Sequence, residues 1–416
     1  MKRDLSVKEA SDWIQAATPR LPAATVNLFD GLSQVLAEGI ASPRDLPPAD
    51  CSAMDGFAVR TANLLRANAE RPVGLPVVFE VAAGGAAARP LADGEVARIF
   101  TGAPVPAGAD AVVRQEDTRS EGDKVWFSAP VAERAHVRDA GEDMRAGEEV
   151  LSPGTRLGAA EIGVLASLGR SMVAVHRRPR VAILSGGDEL VEVDGDLTGN
   201  RIVSSNSYSL VARCRELGAE PIYLGISKDD PQSVENQFRA ALGADCIVSS
   251  AGVSVGDHDH VRPVLQKLGC ELEFWGVKMK PGYPLAFGRF AEGGLVFGLP
   301  GNPVSAFVTF EEFVRPALLK MMGAEHCFLP TLRARLGEPL TKKAGRLHFV
   351  RVRLVRDGED WIATTTGNQS SGVMRSLVEA DGLMIFPLEE ETLEEGAWVE
   401  VQVLRGHWFE GRQPPP

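Results

Sequence analysis

The chain has 416 residues, 44% of them hydrophobic, so it is long enough for roughly two to four domains with apolar cores. Its formal net charge of −12 argues against a nucleic-acid partner or an anionic membrane surface. An anionic substrate would therefore have to bind where positive side chains are locally concentrated. Five scattered cysteines without a Cys-x-x-Cys pair argue against a disulfide framework, and the lack of a signal-like or long apolar run indicates a cytoplasmic protein without a membrane span.

The N-terminal region is predicted to be helical. The N-terminus leads into an amphipathic pattern that bears Asp4, Glu9 and Asp12, and residues 25–39 show a broad apolar face, so we expect two helices, at 5–17 and 25–39. Asp55 follows in a polar turn before a glycine, where a structural turn aspartate is the ordinary interpretation.

From residue 73 to 135 the pattern changes to short apolar runs separated by turn residues, which predicts a small inserted β domain. Thr101 opens a glycine- and proline-rich loop; a strand-connecting turn explains most of it, although its hydroxyl can also donate to an anion. Asp143 lies in the charged segment that follows, which is typical of a solvated face. The predicted strands are 77–81, 95–100, 111–113 and 124–127, and a short helix is predicted at 159–168.

Three strand-to-loop transitions then dominate the region 179–328. Arg180–Ser185 leads into Glu189, Asp245–Ser250 into a loop ending at Asp259, and Leu295–Phe297 into Pro300-Gly301-Asn302-Pro303. Asn302 is placed as a helix N-cap and Pro303 as the first helical residue. One such loop is an ordinary α/β turn, but loops leaving the carboxyl ends of parallel strands share one crevice. Together they predict one anion and metal site in an α/β domain, with helices at 207–217 and 231–242.

After Pro330, five alternating segments predict a C-terminal all-β domain. These segments are 332–336, 347–354, 361–365, 382–386 and 398–403.

Seven short motifs, in this order along nearly the whole chain, resemble the molybdopterin molybdenumtransferase family, which includes bacterial MoeA and the E domain of gephyrin. They are Ser52-Ala53-Met54-Asp55-Gly56-Phe57-Ala58, Thr101-Gly102-Ala103-Pro104-Val105-Pro106, Gly141-Glu142-Asp143, Gly187-Asp188-Glu189-Leu190, Ser254-Val255-Gly256, Met279-Lys280-Pro281-Gly282 and Leu299-Pro300-Gly301-Asn302-Pro303.

The resemblance implies an α/β multidomain protein in four parts. An elongated N-terminal domain would comprise residues 1–50 and 140–178, with an inserted β domain at 51–139. A molybdopterin-binding parallel α/β domain would span 179–328, and a C-terminal β barrel 329–410. The family inserts molybdate into adenylylated molybdopterin and releases AMP, with a divalent cation such as Mg²⁺. It also implies a homodimer with an active site shared between subunits, and names the molybdopterin adenylyltransferase as a candidate partner.

Carried over position by position, the resemblance also assigns the site residues. Asp55, Thr101 and Asp143 would reach the site from the partner subunit. Glu189, Asp229 and Asp259 would bind the metal and serve pyrophosphate cleavage, with Lys280 as a further catalytic residue. Arg351 and Ser371 resemble oxyanion ligands. The remaining pterin- and phosphate-binding positions are Gly252, Ser254, Gly256, Lys278, Pro281, Pro300, Gly301, Asn302 and Pro303.

The chain departs from many relatives at two lysine positions, now Gly276 and Tyr283, and Lys278 is interpreted as a replacement for one of them. On an extended strand Lys278 and Lys280 would share a face. Gly186 also replaces a threonine of some members. A zinc site at His258-Asp259-His260 is the weaker interpretation, since no fourth ligand is evident. Two alternative functions are weaker. The extra domains and the Ser-Ala-Met-Asp-Gly motif disfavour the adenylyltransferase of the same pathway, and no linker supports a non-enzymatic scaffold of the gephyrin kind.

Overall fold

The computed structural model of the protein describes residues 1–250 and 260–404. Within it the chain divides into two compact units. The large unit comprises Met1–Ala37, Gly154–Gly163 and Ser171–Pro416, and the small unit comprises Glu38–Pro153 and Val164–Arg170. No helix in the described part of the chain combines the length and apolar content that crossing a bilayer requires.

The small unit is built on a six-stranded sheet. Neighbouring strands are antiparallel except Val73–Val81 and Val96–Ile99, which are parallel. Phe57 packs into one apolar cluster and its neighbour Ala58 into another, because alternate residues of a strand point to opposite faces. In spatial order the strands are Ala111–Arg114, Gly56–Val59, Val96–Ile99, Val73–Val81, Lys124–Phe127 and Thr118–Glu121.

Shorter elements complete the small unit. Ile40–Ala41 pairs with Glu149–Leu151 and Cys51–Ser52 pairs with Val137–Arg138, both antiparallel. Two 3₁₀ turns lie at Thr61–Leu64 and Gln115–Asp117. The four predicted strands of the insertion are confirmed, and so is the short helix, which spans Ala159–Ser167.

The large unit contains a seven-stranded sheet with a parallel centre. Val181 and Ile183 pack on one face and Ala182 and Leu184 on the other, which is typical of a sheet covered on both sides. The four parallel neighbours are Leu295–Leu299, Cys246–Ser250, Arg180–Gly186 and Glu220–Ser227. Beyond Leu295–Leu299 the order continues with Ala286–Phe290, which is antiparallel, then Cys270–Val277 and Lys2–Leu5.

Helices cover both faces of this sheet. Val7–Ala17, Ser205–Leu217 and the run from 303 to 321 pack on one face, and Pro231–Ala241 and Val261–Lys267 pack on the other. Val7–Ala17 begins where the Ser6 side chain and Glu9 form a capping box. The run from 303 to 321 consists of α-helical Pro303–Thr309, π-helical Phe310–Val314 and α-helical Arg315–Met321.

The C-terminal part of the large unit is a closed five-stranded barrel. It closes because Leu347–Asp357 pairs with both Asp360–Thr365 and Gly382–Phe386. Thr331–Leu336 and Trp398–Val403 complete the ring, around a core that includes Val352 and Val401. The short strand Met279–Lys280 pairs with the start of Leu347–Asp357. Smaller elements are the helix Arg375–Glu379 and the pair Leu340–Thr341 with Thr392–Leu393. The expected α/β architecture with a C-terminal barrel is confirmed.

Two N-terminal predictions are wrong. Residues 25–39 do not form a helix: Ala23–Asn27 is a strand paired with Met172–His176, and turns follow it. Phe29, assigned to a buried face, is 82% exposed. The strand forms because Thr25 and Val26 suit a pleated ladder and find a partner far along the chain. Asp4 lies in the strand Lys2–Leu5 rather than in the first helix, with a left-handed φ of 56°.

Two separate two-stranded pairs complete the large unit. Met172–His176 is the second strand of the pair just described, and Leu190–Val191 pairs in parallel with Ile202–Val203. Leu190–Val191 begins directly after Glu189, so this strand marks the end of the loop that contains Glu189. The predicted strands and helices between residues 179 and 328 are confirmed, with boundaries that differ by one or two residues.

Candidate functional site

The three predicted loops leave one edge of the parallel sheet. Ser185 is in register with Ser250, and Ser250 with Leu299, so the three strands end side by side. The hydroxyl of Ser185 lies 2.7 Å from that of Ser250 and 2.6 Å from that of Ser207, in a buried row at this edge. Gly252, Ser254, Gly256 and Asp259 belong to the loop after Ser250 and lie outside the described residues.

Two of the predicted metal-binding carboxylates lie on neighbouring loops. Glu189 follows the strand Arg180–Gly186, and Asp229 follows its neighbour Glu220–Ser227. The Asp229 amide donates to Asp188 Oδ1 at 3.1 Å, which ties these loops together. Gly187 has a φ of +147°, which favours glycine, and a Cβ there would lie 2.6 Å from Glu189 Oε2, so a larger residue would displace the end of the Glu189 side chain. Among the described residues no group of three metal-binding side chains occurs.

The third loop meets the barrel. Asn302 adopts the extended conformation of an N-cap without a side-chain capping bond, and Pro303 is the first helical residue. The Val304 amide, the first N–H of this helix, donates to the Ser371 carbonyl at 3.1 Å. The Gly301 carbonyl accepts from Asn206 Nδ2 at 2.7 Å. The structure therefore brings the helix start at Pro303 close to Ser371. The Val304 amide is already hydrogen-bonded within the protein.

A cationic cavity of about 640 Å³ lies where Met279–Lys280 pairs with the barrel. Lys280 is exposed to it while its neighbour Met279 is fully buried, and Pro281 also contributes to the wall. Among the residues that the structure describes, no acidic side chain lines this cavity, whereas the chain as a whole has a net charge of −12. Its other polar lining residues are Thr341, Lys342, Lys343, Arg346, His348 and Gln369.

The electrostatics of this cavity favour an anion. Burial is the main cause that lowers the pKa of His348, and together with the positive charges of Lys280, Lys342 and Arg346 it brings this pKa to about 4. His348 is therefore a neutral imidazole near pH 7, with one donor and one acceptor nitrogen. Burial also lowers the pKa of the Lys342 ammonium. Four cations line this space, which suits a dianion such as an oxyanion, although the carboxylates of Glu389, Glu390 and Glu391 act on Lys342 from outside the lining.

Arg351 lies behind the loop of residues 366–371. Its side chain is fully buried, Nη2 donates to the carbonyls of Asn368 (3.1 Å) and Ser370 (3.2 Å), and Nε has no hydrogen-bond partner among the described residues. Burial lowers the pKa of its guanidinium to about 10. The main chain of Arg351 also exchanges hydrogen bonds with the Gln369 side chain. Arg351 thus holds the loop that carries Gln369 and Ser371.

In the small unit, Asp55 and Thr101 are in direct contact. Asp55 Oδ1 accepts from the Thr101 amide and hydroxyl, each at 2.8 Å, and these bonds lower the pKa of Asp55. Asp143 lies in a different loop, where its amide donates to the Leu46 carbonyl at 3.0 Å. The charged segment around Asp143 lines a shallow depression together with Asp139 and Glu142.

Lys278 does not line the cationic cavity. Like Lys280 it is exposed, while Met279 between them is buried. The hydrogen bonds from Ser6 lower the pKa of the Glu9 carboxyl, and the charge of Lys278 contributes to this lowering. The structure adds Lys342, Lys343, Arg346 and His348, which sequence reasoning did not single out. The sequence does contain a signal for these residues, because Lys342, Lys343 and Arg346 form a basic run between two predicted strands of an acidic protein.

Three family models match successive parts of the chain. The "MoeA N-terminal region (domain I and II)" matches residues 5–169, the "Probable molybdopterin binding domain" matches 182–320, and the "MoeA C-terminal region (domain IV)" matches 333–404. The molybdopterin molybdenumtransferase of Nostoc sp. is 39% identical over 96% of this chain and 94% of its own length. The chain belongs to the molybdopterin molybdenumtransferase family.

Further relatives support the same family assignment. The molybdopterin molybdenumtransferase of Haemophilus influenzae is 35% identical over 91% of this chain and 93% of its own. A crystal structure of a molybdopterin biosynthesis MoeA protein from Pyrococcus horikosii superposes with a TM-score of 0.83 at 32% identity, and the match covers 97% of this chain and all of that one. The family assignment made from the motifs is confirmed.

Proposed function

We infer that this chain is a molybdopterin molybdenumtransferase, which inserts molybdate into adenylylated molybdopterin and releases AMP. The full-length match to relatives of that name carries this conclusion, and it favours this function over the adenylyltransferase and the scaffold. The structure adds a cationic cavity suited to a tetrahedral dianion in an otherwise acidic protein. The substrates are small molecules, and no nucleic acid or membrane takes part in this proposal.

The cavity provides the oxyanion site of the proposed reaction. The Lys280 ammonium and the Arg346 guanidinium attract molybdate, and neutral His348 offers one hydrogen bond without adding a fixed charge. The loop of residues 366–371, held from behind by Arg351, keeps Gln369 at the wall of the cavity. The buried Arg351 guanidinium supports this wall, since two carbonyls of the loop accept hydrogen bonds from it.

The parallel-sheet edge provides the pterin and adenylate side of the site. Pro300, Gly301, Asn302 and Pro303 form one wall, with Gly252, Ser254 and Gly256 contributed by the neighbouring loop. Glu189 and Asp229 supply the hard oxygen donors that Mg²⁺ prefers, so the residues fit such an ion, and Asp259 would complete the set. When bound, the ion neutralises phosphoanhydride charge.

The subunit arrangement is a further part of the proposal. Asp55, Thr101 and Asp143 serve the neighbouring subunit's site in a homodimer, and the protein works in the cytoplasm, supplied by the adenylyltransferase of the same pathway. The Asp55–Thr101 contact supports a role for these two as one preformed group. The four-part domain division, at 1–50 with 140–178, 51–139, 179–328 and 329–410, belongs to this proposal as well.

The test is incubation of the purified protein with adenylylated molybdopterin, molybdate and Mg²⁺, with AMP followed by chromatography. We expect AMP release that depends on molybdate and protein. Lys280→Ala should abolish the molybdate dependence, while the matched control Lys8→Ala, an exposed lysine paired with Asp12 on the first helix, should not change it. AMP at the level of a protein-free control would contradict the proposal. Conversion of ATP and molybdopterin to the adenylylated form would support the adenylyltransferase instead.

A further inference from the structure

Arg346 is a cation at the wall of the cationic cavity whose side chain lies on an aromatic ring. Its guanidinium carbon is 4.5 Å from the centroid of the Tyr283 ring, within the range of a cation–π contact. In the described part of the chain this guanidinium makes no hydrogen bond or ion pair to another side chain. Its N–H donors are therefore available to an anion in the cavity.

The neighbouring cation Lys342 forms hydrogen bonds within the protein, unlike Arg346. Its ammonium donates to the carbonyls of Arg346 and Leu388, both at 3.1 Å, and lies 4.9 Å from the centroid of Phe386. Lys342 therefore fixes the main chain of the loop that carries Arg346. The direction of the Arg346 side chain itself depends on Tyr283.

Tyr283 is in turn held from three sides. Its hydroxyl donates to Asp4 Oδ1, its ring meets the Trp275 ring edge-on at 5.5 Å, and its carbonyl accepts from the Val277 amide at 3.0 Å. Asp4 lies on the edge strand Lys2–Leu5, which pairs with the strand Cys270–Val277. A chain of contacts thus runs from the sheet edge through the tyrosine ring to the cavity.

Gly276 makes room for this arrangement. Its φ is +82°, and a Cβ there would lie 3.5 Å from both Asp4 Oδ1 and the Tyr283 hydroxyl. A longer side chain would have to pass the hydrogen bond between these two groups, and the left-handed backbone favours glycine independently. Gly276 and Tyr283 therefore act as one structural unit.

We propose that Tyr283 is a positioning residue for the proposed reaction: its ring holds the Arg346 guanidinium at the cavity, where it binds the incoming molybdate dianion. This proposal rests on the proposed function. The charge that meets the oxyanion then comes from the barrel loop of residues 342–346 as well as from Lys280. Arg346 contributes to molybdate affinity, and Tyr283 contributes through Arg346.

The test combines direct binding with kinetics. Molybdate binding to the full-length protein is measured by titration calorimetry without pterin, and AMP release is measured against molybdate concentration. Arg346→Ala and Tyr283→Leu should each weaken molybdate binding about three- to tenfold. The first substitution removes the charge that contacts molybdate, and the second removes the ring that orients this charge. The double variant should lose no more than Arg346→Ala alone, because both substitutions remove one interaction. The rate at saturating molybdate should stay near that of the unmodified protein.

Matched variants separate positioning from general damage. Tyr283→Phe keeps the ring and should retain affinity within about twofold. Trp398→Leu removes a comparable ring, which lies 4.5 Å from Arg335 and 4.9 Å from Arg333 outside the cavity, and should leave molybdate binding unchanged. Unchanged affinity in Arg346→Ala, or additive losses in the double variant, would overturn the proposal. If the unmodified protein released no AMP at all, the proposed function would fail instead.

Discussion

Glu312 and Gln402 are joined by one hydrogen bond and each keeps one unpaired acceptor. Gln402 Nε2 donates to Glu312 Oε2 at 3.2 Å, while Glu312 Oε1 and Gln402 Oε1 are buried without a partner among the described residues. A proton on Glu312 can supply the donor that these acceptors lack, giving a cyclic acid–amide pair. This pair links the π-helical segment Phe310–Val314 to the barrel strand Trp398–Val403.

The first prediction is that Glu312 makes stability depend on pH. Burial raises the pKa of Glu312, the hydrogen bond from Gln402 lowers it, and the charges of Glu311 and Arg315 act in opposite directions, so that the pKa is about 8. Because the folded-state pKa exceeds the ordinary value of 4.5, the favourable contribution is complete below pH 4.5 and is lost as pH rises through about 8. Over that window the group should lower the free energy of unfolding by about 1.4 kcal/mol per pH unit.

Urea unfolding of the protein and of Glu312→Gln between pH 6 and 8.5 checks this prediction. The amide can donate to Gln402 at every pH, so the variant should be the more stable protein at pH 8.5 and show a flatter profile. Equal slopes for the two proteins would show that Glu312 does not take up a proton on folding.

The second prediction concerns Arg351. Arg351→Met keeps most of the buried volume but removes the Arg351 donor from the carbonyls of Asn368 and Ser370, of which the second keeps the Val373 amide as a donor. We expect a loss of about 1–3 kcal/mol in unfolding free energy and a higher molybdate concentration for half-maximal AMP release, because the loop carrying Gln369 and Ser371 loosens. Arg351→Lys should recover part of both. A variant that is destabilised but has unchanged half-saturation would limit Arg351 to a structural role.

The sequence predicted the central α/β domain well because its signals are local. Pro303 and the strand before it lie within a few residues of each other, and alternation placed Lys278 and Lys280 on one face of a strand. The edge strand Lys2–Leu5 was missed because it is short and polar, and its partner Phe274 lies far along the chain. The cavity was missed for a similar reason. His348 reaches Lys280 only through the pairing of Met279–Lys280 with a barrel strand, which no local pattern encodes.

The third prediction compares two lysines two residues apart. Lys280 lines the cavity and lowers the pKa of His348, whereas Lys278 is exposed outside the lining and influences Glu9. Lys280→Ala should therefore abolish molybdate-stimulated AMP release, and Lys278→Ala should leave the half-saturating molybdate concentration within about twofold. Titration of molybdate decides between this expectation and the interpretation that Lys278 replaces an absent lysine. A large increase for Lys278→Ala would support that interpretation.

The fourth prediction tests the proposed sharing of the site between subunits. Asp55 and Thr101 form one hydrogen-bonded pair in the small unit, and Glu189 lies at the sheet edge of the large unit. If Asp55 serves the neighbour's site, Asp55→Ala and Glu189→Ala homodimers should each be inactive. A heterodimer of the two variants holds one site with both residues intact and one site lacking both. Random mixing makes half of the dimers heterodimers, so roughly a quarter of the normal activity should return.

Subunit exchange has to be verified independently, with differently tagged variants recovered as a mixed dimer. Asp110→Ala mixed with Glu189→Ala is the matched control, since Asp110 also accepts hydrogen bonds from a threonine, Thr61, but belongs to no predicted site. That mixture should show only the activity of its Asp110→Ala sites. Confirmed exchange without recovered activity in the Asp55→Ala and Glu189→Ala mixture would place both residues in a site formed within one subunit, because heterodimers would then hold no complete site.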